Sequence, residues 1–149
     1  MTGETPSLPD FSTSLPMTLL RARECVIAYS RPKLREHDLT EQQWRVLRAL
    51  AEHERMEISE LAEHCFILMP SLSRILQNLE TRRLIVRRAV KSDHRRVAVA
   101  LSRSGRRLFE VMIGRIEDCY REIAERFGAD RLAELQAMLD TLITSTRQP

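Results

Sequence analysis

The sequence predicts a mainly α-helical fold carrying one small β-hairpin, and three observations point there. Apolar residues recur at three-four spacing on both sides of the centre, the period of a helix that buries one face. One interval, "LIVRRAV" and "RRVAVAL" around "KSDH", switches to β-branched runs about a polar turn. Just before it, Pro70 opens a helix directly after the short turn "ILM", so two helices meet at a tight corner.

Taken in order, residues 1–16 hold three prolines among Ser and Thr without an apolar period, and are expected to form a mobile arm. From Met17 to about His37, Leu19, Leu20, Val26, Ile27 and Leu34 mark a first helix that Pro32 should bend or break. "DLTEQQWRVLRALAEH" is a second helix, with Thr40 as N-cap, Gln43 three residues on, and Trp44, Leu47 and Leu50 on one face. A short strand is expected at Ile58, with Ser59 capping "SELAEHCF", and then the helix "PSLSRILQNLETRRL". After the hairpin, Phe109, Met112, Ile116, Tyr120, Ile123 and Phe127 line a long helix that Gly128 should end as a left-handed cap. A last helix carries Leu132, Leu135, Leu139 and Leu142.

The middle of this order is a winged helix-turn-helix. One domain is expected over residues 17–149, with a central lobe at about 40–105 between outer helices at about 17–37 and 103–147. The apolar stripes of those outer helices exceed what so small a lobe can cover, so each is expected to pack on a second copy of the chain, making a homodimer. No run of about 18 uncharged apolar residues suggests a membrane span, and the N-terminus lacks a basic-then-apolar signal pattern. Cys25, Cys65 and Cys119 are odd in number, widely spaced and free of a Cys-x-x-Cys pair, which suits a reducing cytoplasm.

The net charge of +3 hides a block of opposite balance. Pro70 to Arg107 holds eleven Lys/Arg against Glu80 and Asp93, a net of +9, so the remainder carries −6. Such a block is either a solvated face or a footprint for phosphate, and the pattern within it decides. In "PSLSRILQNLETRR" the apolar Leu72, Ile75, Leu76 and Leu79 turn inward and leave Ser71, Ser73, Arg74, Gln77 and Asn78 outward. These hydroxyls, amides and guanidinium are the groups that hydrogen-bond base edges and phosphates in a major groove of double-stranded DNA. At the hairpin tip, Lys91, His94 and Arg95 face a groove or its phosphates, an Arg on a narrow loop suiting a minor groove. Asp93 would repel phosphate and is assigned a structural role, orienting Arg95 or closing the turn. Val97 and Val99 are expected inward, with Leu101, Ser102 and Gly105 where strand passes into helix.

The stretch "DHRRVAVALSRSG" resembles the wing of the MarR family, Asp-x-Arg, a short strand, then Leu-Thr-x-x-Gly, with Ser102 replacing Thr and keeping the capping hydroxyl. The resemblance spans about Met17 to Arg147. Within the family, "LLRARE", "YSRPKLREHDLTEQQWRVLRALAE" and "CFILMPSLSRIL" are similar to the members that repress operons of homoprotocatechuate (4-hydroxyphenylacetate) degradation. It implies an obligate dimer on a pseudo-palindromic operator, released when an aromatic acid fills a pocket between the dimerisation and DNA-binding parts. Arg21, Arg23, Tyr29, Arg31, Trp44 and Arg45 are the residues that could grip a carboxylate and stack on a ring, set against Trp44 as core and arginines paired with Glu24 or Glu41.

Other classes find less support. Cys25, between Arg21, Arg23 and Tyr29, would serve a thiol-based oxidant sensor of the same fold, although a free Cys is more often a small buried hydrophobe. Cys65 and Cys119 read as core. A non-specific architectural DNA protein is the further alternative. No Gly-x-Ser-x-Gly, Gly-rich phosphate loop or apolar carboxylate pair suggests an enzyme. His37, His53, His64 and His94 are scattered without a zinc spacing, and no metal or other cofactor is expected.

Overall fold

The computed structural model describes residues 8–147. A short 3-10 turn (Phe11–Thr13) leads into α1 (Leu15–Arg35), followed by α2 (Glu41–Glu52), β1 (Met56–Glu57), α3 (Ile58–Cys65), α4 (Met69–Thr81), β2 (Ile85–Val90), β3 (Asp93–Leu101), α5 (Arg103–Phe127) and α6 (Ala129–Thr146). The expected arm over residues 1–16 is corrected at its end, where Phe11–Thr13 form the turn and α1 has begun by Leu15. Leu15 and Pro16 belong to α1, because a proline in the first turn costs no intrahelical bond; residues 1–7 lie outside the described ones.

Local chemistry accounts for most boundaries. Pro32 does not break α1, which runs on to Arg35, so the missing N–H falls only in its last turn. The chain then leaves through Asp38 at φ 53°, with the His37 and Leu39 N–H groups both donating to the Leu34 carbonyl at 3.0 Å. At α2 the capping box forms as expected: the Gln43 N–H donates to Thr40 Oγ1 at 3.1 Å and the Thr40 N–H to Gln43 Oε1 at 3.0 Å. The next start is corrected. Met56–Glu57 is the strand, Ile58 opens α3, and Glu57 with Glu60 supplies the capping box, leaving Ser59 inside the helix. Phe66 closes α3 at φ 51°, with the Ile67 N–H on the Ala62 carbonyl at 3.0 Å, and Pro70 lies in the first turn of α4.

The strands form an antiparallel sheet in the order β1-β3-β2, in register at Met56 opposite Val99 and Ile85 opposite Leu101. Because β3 lies in the middle, Val99 and Ala98 are buried, whereas Val97 is only half-buried. A single core gathers Leu47, Leu50, Leu61, Leu72, Leu76 and Leu79 with Ile85, Val99, Met112 and Ile116. At the start of α5, the Ser102 hydroxyl accepts from the Gly105 N–H at 3.0 Å and donates to the Arg83 carbonyl at 2.6 Å. Gly105 is buried there, and a Cβ on it would lie 1.9 Å from the Leu84 carbonyl oxygen. Gly128 has the positive φ expected of it (101°), but its ψ of 126° lies outside the left-handed helical well.

Apolar side chains remain exposed along the outer helices: Leu19, Leu20 and Val26 on α1, Val111 and Ile113 on α5, Leu135, Met138 and Ile143 on α6. No residue of α6 is buried. Among the described residues, no helix is long and apolar enough to cross a membrane.

Candidate nucleic-acid interface and effector pocket

Helix α4 presents the surface that the periodicity requires. Leu72, Ile75, Leu76 and Leu79 are buried, while Ser71, Ser73, Arg74, Gln77 and Asn78 are exposed. Its first turn carries no acidic residue, so its free N–H groups and dipole favour an anion there. Asn78 departs from the expectation of a purely outward reader. Its Oδ1 accepts from Nε2 of the buried Gln43 at 3.0 Å, which ties α4 to α2.

The basic block divides by partner. Arg82 spends its guanidinium on the Asp38 and His37 carbonyls at 2.8 and 3.0 Å, latching α4 to the end of α1. Arg87 pairs with Glu80 at 3.0 Å, and Arg96 donates to Glu57 at 2.8 Å. Among the described residues Arg74, Lys91 and Arg95 form no such pair. The hairpin turns at Lys91 and Ser92, with Lys91, His94 and Arg95 exposed. Asp93 Oδ1 accepts from the backbone N–H of Arg95 at 3.0 Å, so of its two expected roles it closes the turn.

A cavity of about 140 Å³ opens between α1, α2 and α5, lined among others by Ile27, Ser30, Trp44, Arg45, Arg48, Ile116 and Tyr120. Trp44, Arg48, Ile116 and Tyr120 also border a neighbouring cavity of about 350 Å³ that reaches Phe109 and Ile113. Trp44 is buried and stacks on Phe109, ring centroids 5.4 Å apart and 17° from parallel.

Only part of the expected ligand set meets here. Trp44 and Arg45 line the cavity, whereas Arg21, Tyr29 and Arg31 do not. Arg21 donates to the Ser12 carbonyl at 3.2 Å, Arg31 pairs with Glu24 at 2.5 Å, and Tyr29 lies beneath Arg126. Arg23 approaches only through Glu41, at 3.1 Å. Arg45 has little left to offer a ligand: Nε and Nη2 donate to Glu41, and Nη1 donates to the Cys65 carbonyl at 2.7 Å. Burial raises the Glu41 carboxyl, but the hydrogen bonds and charges of Arg45 and Arg23 outweigh it and hold the group below its ordinary value.

Sequence reasoning missed Arg48, whose partner among the described residues is the exposed Glu52 at 3.5 Å. The signal was present, since Arg48 lies one helical turn beyond Trp44 and so on the same face of α2. Ser30 was missed although its neighbours Tyr29 and Arg31 were named, because aromatic rings and guanidiniums were sought there, and Tyr120 was missed because it comes from α5, distant in sequence. Cys25 is exposed, against the expectation of a buried hydrophobe, whereas Cys65 and Cys119 are buried as expected. Burial pushes both buried thiols upward, away from the reactive thiolate.

Residues 37–96 match the MarR family. The homoprotocatechuate degradative operon repressor of Escherichia coli is 38% identical over 130 residues, 87% of this chain and 88% of that one. Among solved structures, transcriptional regulator PA4135 is similar with a TM-score of 0.86 at 41% identity, covering 91% of this chain and 98% of its own. NadR in complex with 4-hydroxyphenylacetate is similar with a TM-score of 0.80 at 33% identity, covering 88% and 96%. With a helix-turn-helix, an antiparallel wing and a likeness of this extent, the chain belongs to the MarR family of winged-helix transcription regulators, which are not enzymes.

Proposed function

We propose that this chain is a homodimeric cytoplasmic repressor of an operon for aromatic-acid breakdown, released from its operator by an aryl carboxylate of the 4-hydroxyphenylacetate type. The observation that carries the reading is the cavity pairing the Trp44 ring with the weakly partnered Arg48. A carboxylate takes a guanidinium fork bidentately, and a ring needs an aromatic or apolar wall; both lie within one turn of α2. The relatives agree, one being named for a homoprotocatechuate operon and another being solved with 4-hydroxyphenylacetate.

The lobe at about 40–105 reads a pseudo-palindrome, and the outer helices at 17–37 and 103–147 dimerise through the exposed apolar faces of α1, α5 and α6. Ser71, Ser73, Arg74 and Gln77 reach base edges and phosphates, with Asn78 held by Gln43; Lys91, His94 and Arg95 follow the minor groove. Two recognition helices must stand about 34 Å apart to meet successive major grooves. A ligand wedged between α2 of the lobe and α1 and α5 of the arms alters that spacing. A hundredfold loss of affinity requires about 2.7 kcal/mol of preference for the incompetent arrangement, within reach of one desolvated Arg–carboxylate pair plus ring stacking.

The test uses the full-length protein in solution with 4-hydroxyphenylacetate. Light scattering is expected to give a dimer, thermal shift a higher midpoint with ligand, and gel retardation dissociation of the operator complex. Arg48→Ala should abolish both ligand responses while binding operator as before. A ligand response unchanged in Arg48→Ala overturns the pocket. Insensitivity to the acid, with peroxide release that Cys25→Ser abolishes, replaces it with thiol sensing.

A further inference from the structure

The histidines are scattered in sequence, but the fold brings two of them together. Glu52 is the last residue of α2, and His53 caps that helix in extended conformation (φ −122°, ψ 139°). His64 lies in the last turn of α3, eleven residues on. The two imidazoles stand edge to face, centroids 5.3 Å apart and 87° from parallel. One ligand atom from each of Glu52, His53 and His64 lies within 4.8 Å of the other two. We propose that these residues form a binding site for a divalent transition metal of the zinc class, clamping the end of α2 to the end of α3.

Two imidazole nitrogens and a carboxylate oxygen are a donor set that zinc accepts, with a fourth tetrahedral position open to water. Bonds of about 2.0–2.1 Å at tetrahedral angles place ligand atoms roughly 3.4 Å apart. Closing from 4.8 Å is within the reach of side-chain rotation alone, since all three residues are exposed and none anchors the core. Among the described residues, no hydrogen bond joins the three to one another. The competing contact is the 3.5 Å pair of Glu52 with Arg48, exposed at both ends and weak in water. Glu52 and His53 end α2 and His64 lies in the last turn of α3, so the negative poles of both helix dipoles are close to the cluster. Glu52 also borders the cavity that reaches Phe109 and pairs with Arg48, so the site adjoins the proposed effector pocket, but neither His53 nor His64 lines the cavities at Trp44, and the zinc titration is run without aryl acid. Its effect is on the lobe: α3 packs with α4, so a metal bridge from α2 to α3 stiffens the frame that carries the recognition helix.

The experiment is titration of the chelator-treated full-length protein with zinc sulfate, followed by calorimetry and thermal unfolding. The expected result is one zinc per chain with a dissociation constant below about 10 µM and a higher unfolding midpoint. His53→Gln and His64→Gln should each weaken binding about tenfold or more, with midpoints in the absence of metal unchanged, while His37→Gln binds as wild type. Substituted cobalt(II) should develop the visible absorption of a tetrahedral site in wild type and lose it in His64→Gln. Failure of wild type to bind zinc stoichiometrically, or wild-type affinity in both His53→Gln and His64→Gln, overturns the site.

Discussion

Replacing Gly105 by Ala tests the junction between the wing and α5 most sharply. The added methyl would sit 2.9 Å from the Leu84 carbonyl carbon and 1.9 Å from its oxygen, the latter more than 1 Å inside the closest approach real side chains show. The obstacle is backbone and cannot swing away. That carbonyl accepts the Ser102 N–H at 3.0 Å, and the Ser102 hydroxyl grips the Arg83 carbonyl beside it. Relief therefore demands that the start of α5 move off the start of β2, breaking at least one of these bonds. Overpacking strain of about 1–3 kcal/mol plus about 1 kcal/mol for the lost bond makes a destabilisation of about 3 kcal/mol. At roughly 2–4 °C per kcal/mol for a chain near this size, the melting temperature should fall by about 10 °C. Urea unfolding at fixed protein concentration reads the same quantity as a lower midpoint at unchanged slope. A Gly105→Ala unfolding free energy within about 0.5 kcal/mol of wild type would refute the reasoning.

Three further outcomes rest on contacts elsewhere in the chain. Arg74→Ala or Gln77→Ala should each weaken operator binding by about 1–3 kcal/mol and relax discrimination at particular bases, whereas Arg95→Ala should weaken binding across sequences and flatten the salt slope; wild-type binding by Arg95→Ala at two salt concentrations contradicts the wing assignment. Thr40→Ala removes the acceptor for the Gln43 N–H and should cost about 1 kcal/mol of stability in urea. The Glu41 carboxyl, lowered in the folded state, contributes stability that is present above its unfolded value near 4.5 and is lost as pH falls through the folded value. The stability gap between wild type and Glu41→Gln should accordingly shrink as the medium is acidified through that window, and a gap independent of pH contradicts the pairing.

Much of the candidate DNA interface was legible because its signals are local. A helix face is declared by residues three and four apart, a cap by a hydroxyl three residues from its donor, and the wing by β-branched runs around a polar turn. The outward set Ser71, Ser73, Arg74 and Gln77, the capping box of Thr40 and the turn at Asp93 all belong to this kind. The start of α3 was misplaced by the same logic, since Ser59 is a better cap by type than Glu57. There the pairing of Met56 with Val99, forty-three residues away, decides where strand ends and helix begins.

What the sequence determined by itself was therefore the order of elements, the inward and outward faces of α4, and the family. The tertiary structure alone decided which charges are free. Arg45 and Arg48 look alike along α2, yet Arg45 is consumed by Glu41 and the Cys65 carbonyl while Arg48 is left to the cavity. Arg82 counts toward the basic block and is spent on the end of α1; Asn78 looks outward and is held by Gln43; His53 and His64 meet where the ends of α2 and α3 come together. The physical reason is common to these cases. A side chain's periodicity fixes only the direction in which it leaves its helix, but its availability depends on partners brought from elsewhere in the chain by packing.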